Sequence, residues 1–185
     1  MAREIETKCI HLEEKEDSIH HYGAMTYPIY QTATYAHPGV GQSTGYDYSR
    51  LQNPTKEHLE KTVASLENGI NALAFSSGMA AITLMMELFK PGDHLIVDAD
   101  LYGGSIRLFN HVSEKNGIEF SSVACYKENV AGYIRENTKA VYIETPTNPM
   151  MNVTDIKALA EITKEHNLLL IVDNTFLSPY FQNPL

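Results

Sequence analysis

Basic charge, cysteine and long apolar runs are all scarce in this chain. Lys and Arg together number 14 against 23 Asp and Glu, a formal charge of −9. Nucleic acids and anionic membranes are held by clustered Lys and Arg, so neither is expected as a partner, and a small molecule is. The two cysteines, Cys9 and Cys125, are too few for a disulfide framework and too widely spaced for a zinc site. That fits a reducing cytosol. No apolar run reaches membrane-spanning length, and the opening "MAREIETKCIHLEEKEDSIHHYG" carries acidic residues where a secretory signal would have its apolar core. A cytoplasmic location is therefore expected. The eight histidines include the neighbours His20 and His21 but no H-E-x-x-H or comparable spacing; hydrogen-bonded or solvated histidines are expected, and no metal.

What is present is enough for one domain with a sizeable core: 185 residues, 43% of them hydrophobic. Residues 1–52 show no sustained period and mix Tyr, Thr, Pro and Gly in "MTYPIYQTATYAHPGVGQSTGYDYSRLQNP", which predicts an extended arm of the kind that packs on a partner subunit. At residue 53 the pattern changes. Asn53 or Thr55 can cap a helix with a Leu59, Val63, Leu66 stripe, and Gly69 can end it. Then "NALAF" reads as a strand, "GMAAITLMMELF" as a helix, "HLIVDAD" as a strand, "GGSIRLFNHVSEKNG" as a helix and "IEFSSVAC" as a strand. "KENVAGYIREN" is weakly helical, "KAVYIETP" a strand, "TDIKALAEITKEHN" a helix and "LLLIVD" a strand. Short apolar strands alternating with amphipathic helices imply an α/β fold, a mainly parallel sheet covered on both faces.

Ligands gather at the carboxyl ends of such strands. The residues there are Ser76, Ser77 and Gly78 after "NALAF", Tyr102 after "HLIVDAD", Thr147 and Asn148 after "VYIETP", and Asp173 after "LLLIV"; they should converge on one edge. "FSSGMAAI" puts Ser and Gly between a strand and a helix, where free N–H groups and the positive helix end can bind a phosphate, although a glycine that only permits a tight turn reads equally well. "GVGQSTG" has one residue too many before its last glycine, and no strand before it, to be a dinucleotide loop. Asp173 could cap a helix, ligate a metal or meet a cationic group. A carboxylate at the end of a buried strand is costly unless paired, and the protonated ring nitrogen of pyridoxal phosphate (PLP) is a fitting partner. Tyr102 is placed to stack on the other face of that ring.

The motifs "PIYQTATY", "YDYSRLQNPT", "SSGMAAI", "LYGGSIRLFN", "ETPTNPMM" and "VDNTFLSPYFQNPL" run in this order from about Tyr27 to Leu185. The chain resembles the front half of the Cys/Met-metabolism family of fold-type I PLP enzymes, among them cystathionine γ-synthase, cystathionine β- and γ-lyases, O-acylhomoserine sulfhydrylases and methionine γ-lyase. The resemblance implies the three-layer, mainly parallel sheet of the aspartate-aminotransferase-like large domain, here truncated, over residues 53–185. It implies PLP as cofactor, an amino-acid substrate, and a homo-oligomer built as a dimer of dimers in which Tyr48 and Arg50 reach the phosphate of the neighbouring subunit's cofactor. Arg50 has the planar fork that suits phosphate oxygens. Ser77, Gly78 and Met79 would lie at the phosphate, and Tyr102 on the ring. Asn148, which is equally a common turn residue before Pro149, would lie near the phenolic oxygen and substrate carboxylate, and Asp173 at the ring nitrogen.

The lysine that carries the cofactor in this family lies in an S-A-T-K motif beyond the "VDNT" segment, and no such motif occurs here. The chain is thus expected to be part of a longer enzyme and inactive alone. The expected activity is transsulfuration at the β or γ carbon of sulfur amino acids or O-acylhomoserine, of the cystathionine γ-synthase type, with the β- or γ-lyase reaction as alternative. "YGGS" carries Gly104 where methionine γ-lyases have Cys, which disfavours that activity. A different class of reading is a non-catalytic module that pairs with full-length subunits through its arm.

Overall fold

A run of apolar residues can be buried on both faces only if helices cover both, and the sheet shows that arrangement. The structure, a computed structural model, describes residues 4–12, 22, 24, 26–126 and 130–185; the His20 and His21 pair lies outside these. Four strands, β1 (His94–Asp98), β2 (Glu119–Val123), β3 (Thr138–Glu144) and β4 (Leu169–Asp173), pair in parallel in the order β2-β1-β3-β4. Side chains alternate between the faces. Leu95, Val97, Ala140 and Tyr142 join Met86, Phe89, Leu101 and Phe109 on one side, and Ile96, Val141 and Ile143 join Val123, Val130 and Leu159 on the other. Leu95, Ile96, Val141 and Ile143 are wholly buried, and each such burial stabilises the fold by about 1.5–3 kcal/mol.

The first face is covered by α3 (Gly78–Met86) and α4 (Gly103–Leu108), the second by α5 (Ile156–Glu165) and a 3-10 turn at Val130–Tyr133. This is the three-layer, parallel α/β sheet that the sequence predicts. Asp155 caps α5 by accepting from the Ala158 N–H at 3.0 Å. A short α6 (Ser178–Phe181) follows β4. The central strand also holds His94, whose two ring nitrogens meet Thr138 Oγ1 at 2.8 Å and Ser121 Oγ at 3.0 Å. Burial first, and the charge of Arg135 second, push its pKa down, so it serves as a neutral hydrogen-bonding core residue.

Three expectations need correction. "NALAF" forms no strand: Leu73 and Phe75 are 66% and 41% exposed, and among the described residues no backbone lies alongside to pair with it. The N-terminal segment is not wholly extended, because α1 (Ile5–Ile10) forms a short helix within it. The helix after Tyr102 is α-helical only to Leu108 and continues as a wider π turn over Phe109–Ser113.

Residues 1–74 with Leu185 pack as one compact unit and 75–184 as another. The sequence expectation divides the chain at 52/53 instead. The helix α2 (Pro54–Leu66) joins the preceding segment because Thr55 Oγ1 accepts from the Tyr30 N–H at 2.8 Å and donates to the Pro28 carbonyl at 3.2 Å. Asn53 caps α2 by accepting from the Thr55 N–H at 2.9 Å and donates from Nδ2 to the Tyr30 carbonyl at 3.1 Å. The helix stops before Gly69, with Asn68 taking the left-handed φ of 55°.

Candidate functional site

Parallel pairing in register brings strand ends together, and β3 and β4 end opposite one another at Glu144 and Asp173. A cavity of about 310 Å³ opens there. Of the eight residues singled out from sequence, Ser77, Gly78, Met79, Tyr102, Asn148 and Asp173 line it. Glu144, Ile82, Thr175 and Phe176 complete the lining. Ser76 and Thr147, which the sequence also placed at strand ends, do not line it.

Asp173 is half-buried at the end of β4. Its Oδ1 accepts from the Thr175 N–H at 3.1 Å and from the Thr175 hydroxyl, and its Oδ2 accepts from the Tyr142 hydroxyl at 3.3 Å. Burial, with the charge of Asp173 adding to it, pushes the Tyr142 pKa up, so Tyr142 stays a donor. These contacts fix the carboxylate while leaving it open to the cavity. Glu144 is buried, and its carboxylate accepts from the Tyr102 N–H at 2.7 Å. Burial raises its pKa; the N–H groups of Tyr102 and Asn148 pull it back, and the charges of Asp173 and Asp100 push it further up.

The start of α3 lines the same cavity. Ser77 accepts from the Ala80 N–H at 3.1 Å, and the remaining N–H groups of a first helical turn have no partner inside the helix. With the positive end of the helix they make an anion seat. Tyr102, 44% exposed, stands at the start of α4 and leaves its ring free to meet a flat molecule. Gly104 keeps that ring in place: a Cβ there would fall 2.4 Å from Tyr102 Cε1 and 2.8 Å from Met79 Sδ. Asn148 lies in the turn after β3, where the Thr145–Pro146 and Asn148–Pro149 bonds are both cis. An anion seat, an aromatic face and a fixed carboxylate around one cavity suit a flat ring that carries a phosphate at one end and a protonated nitrogen at the other.

Tyr48 and Arg50 belong to the first compact unit, the other six to the second. Arg50 Nη2 donates to the Tyr48 hydroxyl at 3.2 Å, and its guanidinium carbon lies 4.9 Å from the centre of the Tyr48 ring. A bridge between Thr34 and Tyr48 ties this pair to the rest of the segment.

Glu144 was missed from sequence, although the signal that marks Asp173 also marks it: a carboxylate closing a run of buried apolar residues in "AVYIE". Thr175 and Phe176 carried no such signal.

A family model described as "Cys/Met metabolism PLP-dependent enzyme" matches residues 6–185. The chain is 49% identical over 190 aligned residues to a cystathionine gamma-synthase/O-acetylhomoserine (thiol)-lyase of Bacillus subtilis, covering 100% of this chain and 49% of that protein. A cystathionine gamma-lyase of the same organism is 53% identical over 164 residues, covering 88% of this chain and 43% of the relative. Among solved structures, cystathionine gamma-lyase from Lactobacillus plantarum complexed with L-serine matches with a TM-score of 0.89 at 43% identity, covering 98% of this chain and 47% of that one. The chain spans about half the length of the curated relatives it matches.

Proposed function

The chain belongs to the Cys/Met-metabolism family of PLP-dependent enzymes, and from that premise we propose that it forms the cofactor-binding part of a transsulfuration enzyme of the cystathionine γ-synthase type. The cofactor of this family is PLP. When bound, it supplies an electron sink for charge developing at the α carbon of an amino-acid substrate. The proposed substrates are sulfur amino acids and O-acylhomoserine, reacting at the β or γ carbon.

The observation that carries this reading is the position of Asp173, a fixed carboxylate at a strand end that shares one cavity with the start of α3 and with Tyr102. Asp173 holds the proton on the ring nitrogen by charge. Ser77, Gly78 and Met79 seat the phosphate, and Tyr102 covers the ring and is the catalytic side chain proposed within this chain. Asn148 orients the phenolic side and the substrate carboxylate. Tyr48 and Arg50 complete the phosphate site of a neighbouring subunit in a dimer of dimers. The 185 residues contain no S-A-T-K segment, so proton transfer at the substrate is assigned to a lysine outside them, and this stretch alone is proposed to be inactive. A cytoplasmic location follows from the same reading; among the described residues no helix is long and apolar enough to cross a membrane.

A second reading, a cystathionine β- or γ-lyase, is supported by the 53% identity to the Bacillus subtilis γ-lyase. Gly104 stands where methionine γ-lyases carry Cys, which speaks against that activity. The test is to titrate the full-length protein and its Asp173→Asn variant with PLP, and to assay both with O-acylhomoserine plus cysteine and with cystathionine alone. Cystathionine formation by the native protein, reduced about 100-fold or more by the substitution, is expected. Pyruvate from cystathionine with no synthesis would move the assignment to a β-lyase and 2-oxobutyrate to a γ-lyase, and failure of the native protein to bind PLP would overturn both.

A further inference from the structure

Asp100 lies between β1 and α4, two residues before Tyr102; it does not line the cavity, and its carboxylate bonds the loop after β3. Its Oδ2 accepts from the Thr147 hydroxyl, from the Met150 N–H at 3.2 Å and from Asn152 Nδ2 at 3.3 Å. That loop is also closed on itself. The Thr147 hydroxyl accepts from the Asn152 N–H at 2.9 Å, and the Thr147 N–H donates to the Asn152 carbonyl at 3.0 Å. Asn148 sits inside the closed turn. Glu144 makes a second connection in the opposite sense: it ends the strand that leads to Asn148, yet its carboxylate accepts from the Tyr102 N–H at 2.7 Å and also from the Asn148 N–H.

Each carboxylate therefore starts on one loop and grips the other. We propose that Asp100 and Glu144 are positioning residues, a reciprocal latch that fixes the Tyr102 loop against the Asn148 loop so that both side chains meet a flat ring already in register. The inference rests on the proposed roles of Tyr102 and Asn148 and adds what holds them. Bonds from N–H and O–H groups to an ionised acceptor are about twice as strong as neutral ones, and a displacement of about 1 Å between groups that orient a reacting molecule costs about 100-fold in rate. A shared latch makes the two loops move together or not at all.

The test uses the full-length protein with Asp100→Ala and Asp100→Asn, reading amide hydrogen exchange in the apoprotein and PLP affinity by fluorescence titration. The Tyr102 N–H is the informative probe, since it is bonded to Glu144 and not to Asp100. Asp100→Ala is expected to speed exchange at Tyr102 about tenfold and to weaken PLP binding about tenfold. Asp100→Asn, which keeps an acceptor oxygen toward the loop, should recover most of both. Faster exchange confined to residues 147–152, with Tyr102 and PLP affinity unchanged, would overturn the latch. Should Asp100→Ala fail to fold, Thr147→Val removes one of the three donors and must still speed exchange at Tyr102; native exchange there overturns the proposal. If the native protein binds no PLP, the cofactor assignment fails while exchange at Tyr102 still decides whether the loops are latched.

Discussion

Gly104 leaves the Tyr102 ring the space it needs. Its φ is not in the left-handed region, so the backbone accepts alanine, and only the new Cβ offends, at 2.4 Å from Tyr102 Cε1 and 2.8 Å from Met79 Sδ. Both are side-chain atoms that can swing away, so Gly104→Ala is expected to keep the thermal midpoint within a few degrees while weakening PLP binding about tenfold through a displaced ring. Equal losses of stability and binding would show instead that the ring position is not what Gly104 protects. The same scale shows how far the sequence could be read. Six of the eight named residues line one cavity. Tyr102 and Asn148 follow β1 and β3 and Asp173 ends β4, and parallel pairing delivers these strand ends to one edge. Ser77, Gly78 and Met79 join them because α3 starts there. The contacts of Glu144 and Asp100 were not legible, because a carboxylate's partners come from loops whose approach the linear order does not encode.

Strands and helices follow from what each segment needs from its neighbours. The β1, β3 and β4 segments are apolar runs that only a covered sheet can bury, and they were plain in the sequence. "NALAF" looks the same on paper, but a strand is a relation between two backbones, and among the described residues none lies beside it. β1 also carries a cost at its end: Asp98 is buried, with Oδ1 accepting from the Asp100 N–H at 3.2 Å. Burial, with the charge of Asp100 adding to it, raises the Asp98 pKa from 3.8 to about 6, against the pull of the Asp100, Ala99 and Cys125 N–H groups. The folded state thus keeps a proton that the unfolded chain releases near 3.8. The contribution of Asp98 to stability is fully present below that value and is lost as pH rises through about 6. Asp98→Asn should therefore stabilise the protein at pH 7 by roughly 1–3 kcal/mol and remove this dependence. Urea unfolding at pH 4 and pH 7 measures it; a destabilised variant at pH 7 would mean that the carboxylate meets a compensating cation.

At the scale of the whole molecule, Tyr48 and Arg50 belong to one compact unit and Asp173 to the other, and the first two are proposed to serve the site of a neighbouring subunit. If Arg50 serves a neighbouring subunit, full-length Arg50→Ala and Asp173→Ala oligomers should each be inactive. Dissociating, mixing and reassembling them should restore about a quarter of native activity, because half of random pairs are hybrids and each hybrid has one intact site of two. No recovery in demonstrably mixed oligomers would return Arg50 to its own subunit's site. The strand order β2-β1-β3-β4 has a consequence for how the protein is made. β2 enters beside β1, β3 takes the other side of β1, and β4 joins β3, so every strand arrives next to one already synthesised. Within these four strands, a nascent chain leaving the ribosome from its N-terminus can add each strand to an edge already in place, β2 and β3 on either side of β1 and β4 on β3. Asp173 travels on the last of the four, and the floor of the cavity is sealed only when that strand docks.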